Sequence, residues 1–447
     1  MEMVYLHIGI DDTDSPRKGC TTYVAALLVE KLIKLRARFM DYPNLVRLNP
    51  NAPWKTRGNG ALCFRIECDE GTVGDVKEAV VETVEANSDF GYAGTDPGIV
   101  FLSKKIVPKE IRSFAQKTIQ GIVKFNESLN LVKKLGAEAV GYKSGRGVIG
   151  ALAAVGETLE GDHTYELVTY RFPENRGTKR LVNATSVRAM DKKTAPLTFN
   201  NVDLETNRVL ITPRGPDPVF FGIRGENPVI VKQAFDTVQT AEPIERWVIF
   251  RTNQGTDAHL RKIRRIDGIR PFHTVIIRGT VVNEPKIVPR RHVIFSIKDD
   301  TAIVDCAAYE PTGDLRKAAK QLMVGDKIAV FGAVRPAFET HPMTINLEKI
   351  RIIKLVPKVL LHNPKCPECG KAMSSMGKAQ GYRCKKCRYK SKQLTKIQTT
   401  QERALENRLY ITSPHSQRHL TKPLCRYGME KWLNHSRFEM VPDWHSP

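Results

Sequence analysis

The chain has 447 residues, 41% of them hydrophobic, with 70 Lys+Arg against 48 Asp+Glu and a net charge of +22; the length suits three or four domains and the charge favours a polyanionic partner. No apolar run reaches the ~18 residues needed to span a bilayer, the N-terminus lacks the basic-then-apolar pattern of a secretory signal, and nine cysteines in this length make no disulfide scaffold. The expectation is a soluble, cytoplasmic protein without a membrane segment.

The charge is unevenly spread. Residues 1–100 carry 11 Lys+Arg against 15 Asp+Glu, and residues 361–447 carry 17 against 6. An acidic centre at one end and a basic surface elsewhere suit an enzyme that holds a large nucleic acid away from its chemistry. The plainer reading is a solvated basic surface.

The first strand is predicted over residues 4–10, running into Gly9-Ile10-Asp11-Asp12-Thr13-Asp14-Ser15. Like charges this close raise one another's pKa unless a cation shares them. Hard oxygen ligands at a strand end suit Mg2+, which takes one or two carboxylates plus phosphate oxygens. Asp and Ser also serve turns and N-caps, which explains one such residue better than it explains the run. Gly19-Cys20-Thr21-Thr22-Tyr23 follows and opens a helix predicted over residues 22–35, with Leu27, Leu28, Leu32 and Leu35 near one face. A hydroxyl of Thr21 or Thr22 would meet a phosphate or a metal ion, or else cap the helix. Either role puts the helix N-terminus beside the carboxylates, where phosphate binds.

Strands over residues 45–48 and 61–66 flank a loop, Leu48-Asn49-Pro50-Asn51-Ala52-Pro53-Trp54-Lys55-Thr56-Arg57-Gly58-Asn59-Gly60. Lys55 and Arg57 offer positive charge, and Gly58 and Gly60 permit close approach and positive φ. The loop suits a triphosphate, although the P-loop spacing is absent and its Asn, Gly and Pro also make ordinary turns. A second helix is expected over 73–86. Thr95-Asp96-Pro97-Gly98 adds a carboxylate in a turn, equally suited to structure or function. A basic helical stretch over 109–135 leads to Lys143-Ser144-Gly145-Arg146-Gly147, whose glycines precede another helix and whose two cations suit phosphate or base. Residues 160–250 read as an α+β unit with an irregular loop over 213–218.

Strand-like runs over 273–282, 292–298, 302–308, 327–334 and 345–355, with a helical insert over 315–322, match an OB-fold; another small barrel is the alternative. Such folds grip single strands with stacking aromatics, but Phe272, Phe295, Phe331 and Phe338 read as core. Cys366, Cys369, Cys384 and Cys387 form two CxxC pairs with zinc-ribbon spacing. Four thiolates close the coordination sphere, so this Zn2+ is structural rather than catalytic; two pairs at this spacing disfavour a redox role. Lys371, Lys378, Arg383, Lys385, Lys386, Arg388, Lys390 and Lys392 give the ribbon an RNA-facing character. Cys20, Cys63, Cys68, Cys306 and Cys425 lack ligand spacing and read as small buried residues. Residues 396–447 hold no motif and suit a helix plus a tail that folds on RNA.

Taken together, the acidic run, the Cys-Thr-Thr motif, Arg47-Leu48-Asn49-Pro50 with residues 55–61, and Gly141-Tyr142-Lys143-Ser144-Gly145-Arg146-Gly147 resemble the archaeal tRNA-Ile 2-agmatinylcytidine synthetases, over about residues 1–390. The resemblance implies a multidomain α/β protein: an N-terminal kinase-like α/β region over 1–135, a ferredoxin-like α+β region over 136–260, an OB-fold β-barrel over 270–357, a zinc ribbon over 361–395 and a basic C-terminal tail over 396–447. It implies ATP, agmatine and a tRNA-Ile with a CAU anticodon as substrates. Agmatine would replace the C2 oxygen of the wobble cytidine, by way of a phosphorylated cytidine, so that the tRNA reads AUA, with AMP and phosphate released. Thr21 would be autophosphorylated. Asp11, Asp12 and Asp14 would be catalytic and hold Mg2+. Thr13, Ser15, Thr22, Lys55, Arg57, Gly58, Asn59, Gly60, Lys143, Ser144, Gly145, Arg146 and Gly147 would bind ATP. The rival reading, a non-catalytic OB-fold and zinc-ribbon nucleic-acid binder, explains the charge but not the acidic run or the glycine loops. Oligomeric state and agmatine-binding residues are not legible.

Overall fold

The structure, a computed structural model, describes residues 2–263, 265–339, 341–431 and 440–446. The first half begins with β1 (Met3–Asp11), α1 (Thr21–Lys34), β2 (Arg38–Phe39), β3 (Asn44–Arg47), β4 (Gly60–Asp69), α2 (Val73–Asn87) and β5 (Gly98–Leu102). It then adds α3 (Lys109–Gln120), α4 (Phe125–Leu135), the edge strand β6 (Glu138–Gly141) and α5 (Gly147–Gly156). The second half comprises β7 (Thr164–Arg171), α6 (Ala184–Thr194), β8 (Thr198–Phe199), β9 (Val202–Asp203), β10 (Arg208–Val209), β11 (Val219–Gly225), α7 (Pro228–Thr237) and β12 (Ile244–Thr252).

These halves share one sheet, ordered β6-β5-β1-β4-β3-β12-β7-β11-β8. Within it β5-β1-β4-β3 and β12-β7-β11-β8 have the same connectivity, the βαββαβ ferredoxin-like arrangement. The two units meet edge to edge where β3 runs parallel to β12, Asn44 opposite Arg251 and Leu45 opposite Thr252. The helical stretch expected over 109–135 is two helices, broken at Gly121. β6 and α5, both past residue 135, pack with the first half.

The alternation of β1 divides its side chains between two cores. Leu6, Ile8 and Ile10 face α1 and α2 in one, while Val100 and Leu102 of β5 join α3 and α5 in another on the opposite face. Side chains two apart share a face, so Gly9 and Asp11 point toward α5. A Cβ on Gly9 would meet the Ala151 carbonyl oxygen at 2.1 Å, and one on Gly150 would meet Asp11 Oδ2 at 1.7 Å. Gly98 and Gly147 are pressed together in the same way, with a Cβ on Gly98 reaching the Gly147 carbonyl carbon at 2.1 Å. The glycines therefore let α5 lie directly on β1 and β5.

Beyond the sheet, strands Thr274–Val281, His292–Lys298, Ile303–Ala308, Lys327–Arg335 and Thr344–Lys354 form a barrel, closed where Thr280 and Val281 pair with Lys298 and Ile297. Phe295 is in its core, but Phe338 is 69% exposed and stacked on His341, against the core expectation. The zinc ribbon stands on a two-stranded stalk, Lys358–His362 paired with Ile397–Gln401.

The expected helix and RNA-ordered tail over 396–447 differ from what the described residues form. Leu409–Ile411 adds a strand to the barrel beside Lys349–Arg351. The chain then crosses the sheet as a strap: His415 bonds Asp203, Lys422 N donates to Asp257 at 2.7 Å, and Arg426 is buried against Asp162 and Glu226. Trp444 joins the first core beside Phe39 and Tyr42. Trp432 lies outside the described residues. Of the basic residues that suggested RNA contact, His415, Lys422 and Arg426 are paired with carboxylates more than 150 residues away, which local sequence cannot reveal. Of the five unassigned cysteines, Cys425 is exposed and Cys20 half-buried; the other three are buried. No described helix is long and apolar enough to cross a membrane.

The seam between α5 and β1 yields a paired expectation. Gly150→Ala should destabilise the protein by about 1–3 kcal/mol through overpacking. Gly74→Ala, at an exposed helical position with no atom within 4 Å of the added Cβ, should stabilise it by about 0.5–1 kcal/mol. Denaturant melts of the two variants check both signs.

Candidate active site

Strand β1 ends on Asp11, and the next residue leaves the extended conformation: Asp12 has φ 60°, a region Asp tolerates better than most residues. Asp12 Oδ2 accepts from the Asp96 amide at 3.1 Å. Asp14 turns away, accepting from Thr56 Oγ1 at 2.9 Å and from Arg57 Nε at 2.9 Å. Thr13 Oγ1 donates to Thr21 Oγ1 at 3.1 Å, while Ser15 Oγ accepts the Arg17 and Lys18 amides and shapes the turn. Helix α1 starts at Thr21. Cys20 occupies its N-cap, its thiol 3.0 Å from Thr22 Oγ1 and bonded to no helix amide, so neither threonine caps the helix and the amides of Thr21 and Thr22 stay open.

The loop between β3 and β4 is pinned by Asn49, whose side chain donates to the carbonyls of Gly121 at 2.9 Å and Phe272 at 3.0 Å. Its positive φ falls on Asn59 (49°), not on the glycines. Gly58 and Gly60 instead make room for Arg47: a Cβ would come within 2.7 and 2.9 Å of its Nη1. Arg57 bridges the two halves, reaching Asp14 on one side and Asp217 Oδ2 at 3.3 Å on the other.

The third loop is anchored by Asp96, which accepts from Ser144 Oγ at 2.7 Å and Arg146 Nη2 at 3.2 Å. Lys143 spends its ammonium on the carbonyls of Phe90, Tyr92 and Thr95, at 3.3, 2.6 and 2.9 Å. Gly147 and Gly150 serve the seam between α5 and the sheet.

All three loops open into one cavity of about 1060 Å3. Asp11, Asp12, Asp14, Thr21, Thr22, Lys55, Arg57, Gly58, Asn59, Gly60, Ser144, Arg146 and Gly147 line it; Thr13, Ser15, Lys143 and Gly145 do not. The sequence reading missed its other walls. Trp54 stacks near Arg146, 5.6 Å from guanidinium to ring centroid. Arg214 and Asp217 come from the loop over 213–218, whose prolines marked it only as irregular. Arg47, Glu166 and Arg224 stand on β3, β7 and β11, and His419 arrives from the strap. No local signal distinguished Glu166, Arg224 and His419, and Arg47 stood in the Arg47–Pro50 motif without an assigned role.

Burial, followed by repulsion from Asp12, holds the Asp11 carboxyl well above its usual range. Burial raises Asp12 to about 6, and Asp14 and Asp96 push the same way. The three aspartates do not converge: among the described residues the only group of three or more His, Cys, Asp or Glu gathered within 4.8 Å is Cys366, Cys369, Cys384 and Cys387. That tetrahedral thiolate set fits a structural Zn2+.

Comparison with known proteins follows the same divisions. Models of the TiaS TCKD domain, the TiaS FLD domain, an OB-fold nucleic acid binding domain and the TiaS C-terminal zinc ribbon domain match residues 7–144, 145–259, 275–353 and 363–405. The tRNA-Ile 2-agmatinylcytidine synthetase TiaS of Thermococcus sibiricus is 43% identical over 94% of this chain and 96% of its own length. The chain belongs to this family. The Methanocaldococcus jannaschii member is 42% identical over 94% of this chain and 99% of its own. A solved complex of TiaS with its isoleucine tRNA and ATP superposes with TM-score 0.86 at 39% identity, covering 95% of this chain and 97% of that one. A complex of TiaS with the tRNA, AMPCPP and agmatine gives 0.82 at 37%, with the same coverage.

The ribbon has a three-residue core, Cys366, Met373 and Cys384, too small to fold alone, so zinc supplies its stability. Stripping zinc with a chelator should open protease sites within residues 363–395 while leaving the melting of the sheet and barrel unchanged. Limited proteolysis read by mass spectrometry checks this.

Proposed function

We propose that this chain joins agmatine to C2 of the wobble cytidine in a tRNA-Ile with a CAU anticodon, consuming ATP, so that the tRNA reads AUA. The observation that carries the reading is the single cavity formed by the acidic run, the threonine motif and both glycine loops, in a chain about 40% identical to named synthetases over nearly its full length. A binder without catalysis leaves that cavity unexplained. The reading carries with it a cytoplasmic location.

The chemistry has two transfers. An oxo group is a poor leaving group, so the γ-phosphoryl group passes from ATP to cytidine O2, and release of AMP requires water to take the β-phosphoryl group of the remaining ADP as a second phosphate. The primary amine of agmatine then attacks C2, loses a proton, and phosphate departs with the C2–O2 electron pair. Asp11 and Asp12 suit Mg2+: both are crowded carboxylates outside any ion pair among the described residues, and Mg2+ needs no more than two carboxylates besides phosphate. Mg2+ would neutralise charge on the triphosphate during transfer. Asp14, already held by Arg57, positions that arginine. Lys55, Arg57, Ser144, Arg146 and the open N-terminus of α1 meet phosphate oxygens. Thr21, at that N-terminus and bonded by Thr13, is the residue for autophosphorylation. The target base must leave its stack to enter, and Trp54 at the rim offers an aromatic face. The exposed cations of the ribbon face the RNA.

Three outcomes test this. Enzyme, ATP, labelled agmatine and unmodified tRNA should yield labelled RNA, and mass spectrometry should place agmatine on the wobble cytidine; absence of label on correctly folded tRNA counts against the function. Asp12→Asn should cut incorporation by more than about 100-fold with tRNA affinity changed less than about threefold. Excising residues 363–396 and rejoining the stalk should weaken tRNA binding and flatten its salt dependence, by about 0.7–0.9 in log–log slope per lost phosphate contact.

A pH dependence arises from Asp12. Its folded pKa of about 6 lies above the ordinary carboxylate value, so folding favours the protonated form. The metal-free protein therefore loses stability as pH rises from the ordinary carboxylate value through about 6. A divalent cation binds the carboxylate and not the acid, so it relieves that cost only once the proton has left. Mg2+ should raise the melting temperature more at about pH 7.5 than at about pH 5, measured calorimetrically; equal shifts would remove Asp12 from the metal site.

A further inference from the structure

The strap that follows the zinc ribbon reaches the cavity through one side chain. His419 lines the cavity, although it lies more than 350 residues from the loop it faces. Its backbone is fixed by the sheet: Gly255 N donates to His419 O at 2.8 Å, and the next residue, Leu420, is buried in the core of α3 and α5. Its neighbour Arg418 donates to Asn51 Oδ1 at 2.6 Å, tying the strap to the β3–β4 loop.

The ring is held between two unlike groups. Arg224 Nη2 lies 3.0 Å from Nδ1, and Gln254 Oε1 lies 3.0 Å from the same nitrogen. A guanidinium only donates, so with Arg224 bonded Nδ1 accepts and Nε2 carries the proton; Gln254 Oε1, itself an acceptor, then lies against Nδ1 without a hydrogen bond. Nε2 is directed at Gly58, where an added Cβ would stand 3.2 Å away. Gln254 Nε2 in turn donates to Glu166 Oε2, and Arg224 Nε donates to Glu166 Oε1 at 3.0 Å. Arg47 completes the wall 3.9 Å from Glu166, with its Nε buried and unbonded among the described residues. Arg224, Gln254 and Glu166 thus close a ring of contacts through His419, on the wall facing the Gly58 loop.

We propose that His419 is a positioning residue of the active site, its Nδ1 fixing Arg224, which in turn holds Glu166, so that the cavity is complete only when the C-terminal strap is docked. The inference rests on the proposed function, because it assigns His419 to the cavity where that reaction runs. Burial among Arg47, Arg224 and Lys55 keeps the imidazole neutral, as an acceptor of a guanidinium hydrogen bond must be. Its action is through Arg224, not through substrate.

The experiment uses full-length, zinc-loaded enzyme with tRNA, ATP and agmatine, and compares His419→Ala, His419→Asn and His419→Gln. The amide oxygen of Asn replaces Nδ1, whereas that of Gln reaches toward Nε2. His419→Ala should lower kcat/KM for agmatine incorporation by about 10–100-fold, with melting temperature and tRNA affinity close to wild type. His419→Asn should restore activity to within about fivefold, and His419→Gln should not. Leu424→Gln, altering an exposed strap residue outside the cavity, should keep wild-type kinetics. Wild-type rates in His419→Ala would overturn the proposal. So would rescue by Gln alone, which would make Nε2 the acting atom, or equal loss in all three variants with a collapsed melting temperature, which would make His419 structural. Failure of the wild-type enzyme to label tRNA would count against the function itself, a result separate from any of these.

Discussion

The active site depends on a contact with no side chain in it. Helix α5 lies so close to β1 and β5 that Gly9, Gly98, Gly147 and Gly150 leave no room for a Cβ. Interiors are close-packed, so this approach fixes two things together. Asp11, on the α5 face of β1, is half-buried beneath the helix at the edge of the cavity. The start of α5 brings Ser144 and Arg146 to the same cavity, anchored by Asp96. Burial of Asp11 then drives the electrostatics: its carboxyl cannot ionise cheaply beside Asp12. Arg57 is already committed to Asp14 and Asp217, and Arg146 to Asp96. The fold thus maintains a pair of carboxylates without a dedicated counter-ion, in the same cavity as Lys55, Arg57 and Arg146.

The second constraint is how the two ferredoxin-like units join. A four-stranded unit of this kind leaves strand edges that must be paired or covered. Here β3 and β12 pair with each other, which removes one edge from each unit and makes the sheet continuous. The cavity lies across that join. Its acidic side comes from the end of β1 in the first unit, and its cationic wall from Arg47 of β3 and Arg224 of β11, with Glu166 of β7 between them. Arg57 spans the two, so neither unit alone presents the full set of groups.

Much of this was legible in the chain, and the reason is locality. Strand β1, helix α1, the barrel strands and the two CxxC pairs each announce themselves within a few residues, because alternation, helical periodicity and metal spacing are short-range patterns. The run Asp11–Asp14 was legible for the same reason: crowded like charges are visible without coordinates. The glycine loops were located correctly but explained too simply. Gly58 and Gly60 admit Arg47, and Gly147 and Gly150 admit a strand, so their small size serves packing. Lys143 looked like a phosphate ligand because charge alone is visible in sequence; three backbone carbonyls take its donors. Glu166, Arg224 and His419 were illegible, since each is an ordinary polar residue until the sheet brings them together.

The order of the chain adds a final consequence. The zinc ribbon is inserted between the last long barrel strand and the strap, on a stalk whose ends, His362 and Ile397, are paired. Closing the ends of an insertion in this way lets it be large without lengthening the loop that the rest of the fold must close. The strap can therefore pack as though the ribbon were absent, and Arg403, just past the stalk, is bound to Asp326 of the barrel at 2.7 Å. From there the path to His419 is held at Leu409–Ile411 and His415. An exposed basic module and a buried polar contact in the cavity thus lie on one short covalent path. That arrangement reconciles a +22 chain with an acidic centre: the exposed cations of the ribbon are carried outward on the stalk, while those of the strap, Arg418, Lys422 and Arg426, are neutralised by Glu348, Asp162, Glu430 and Glu226.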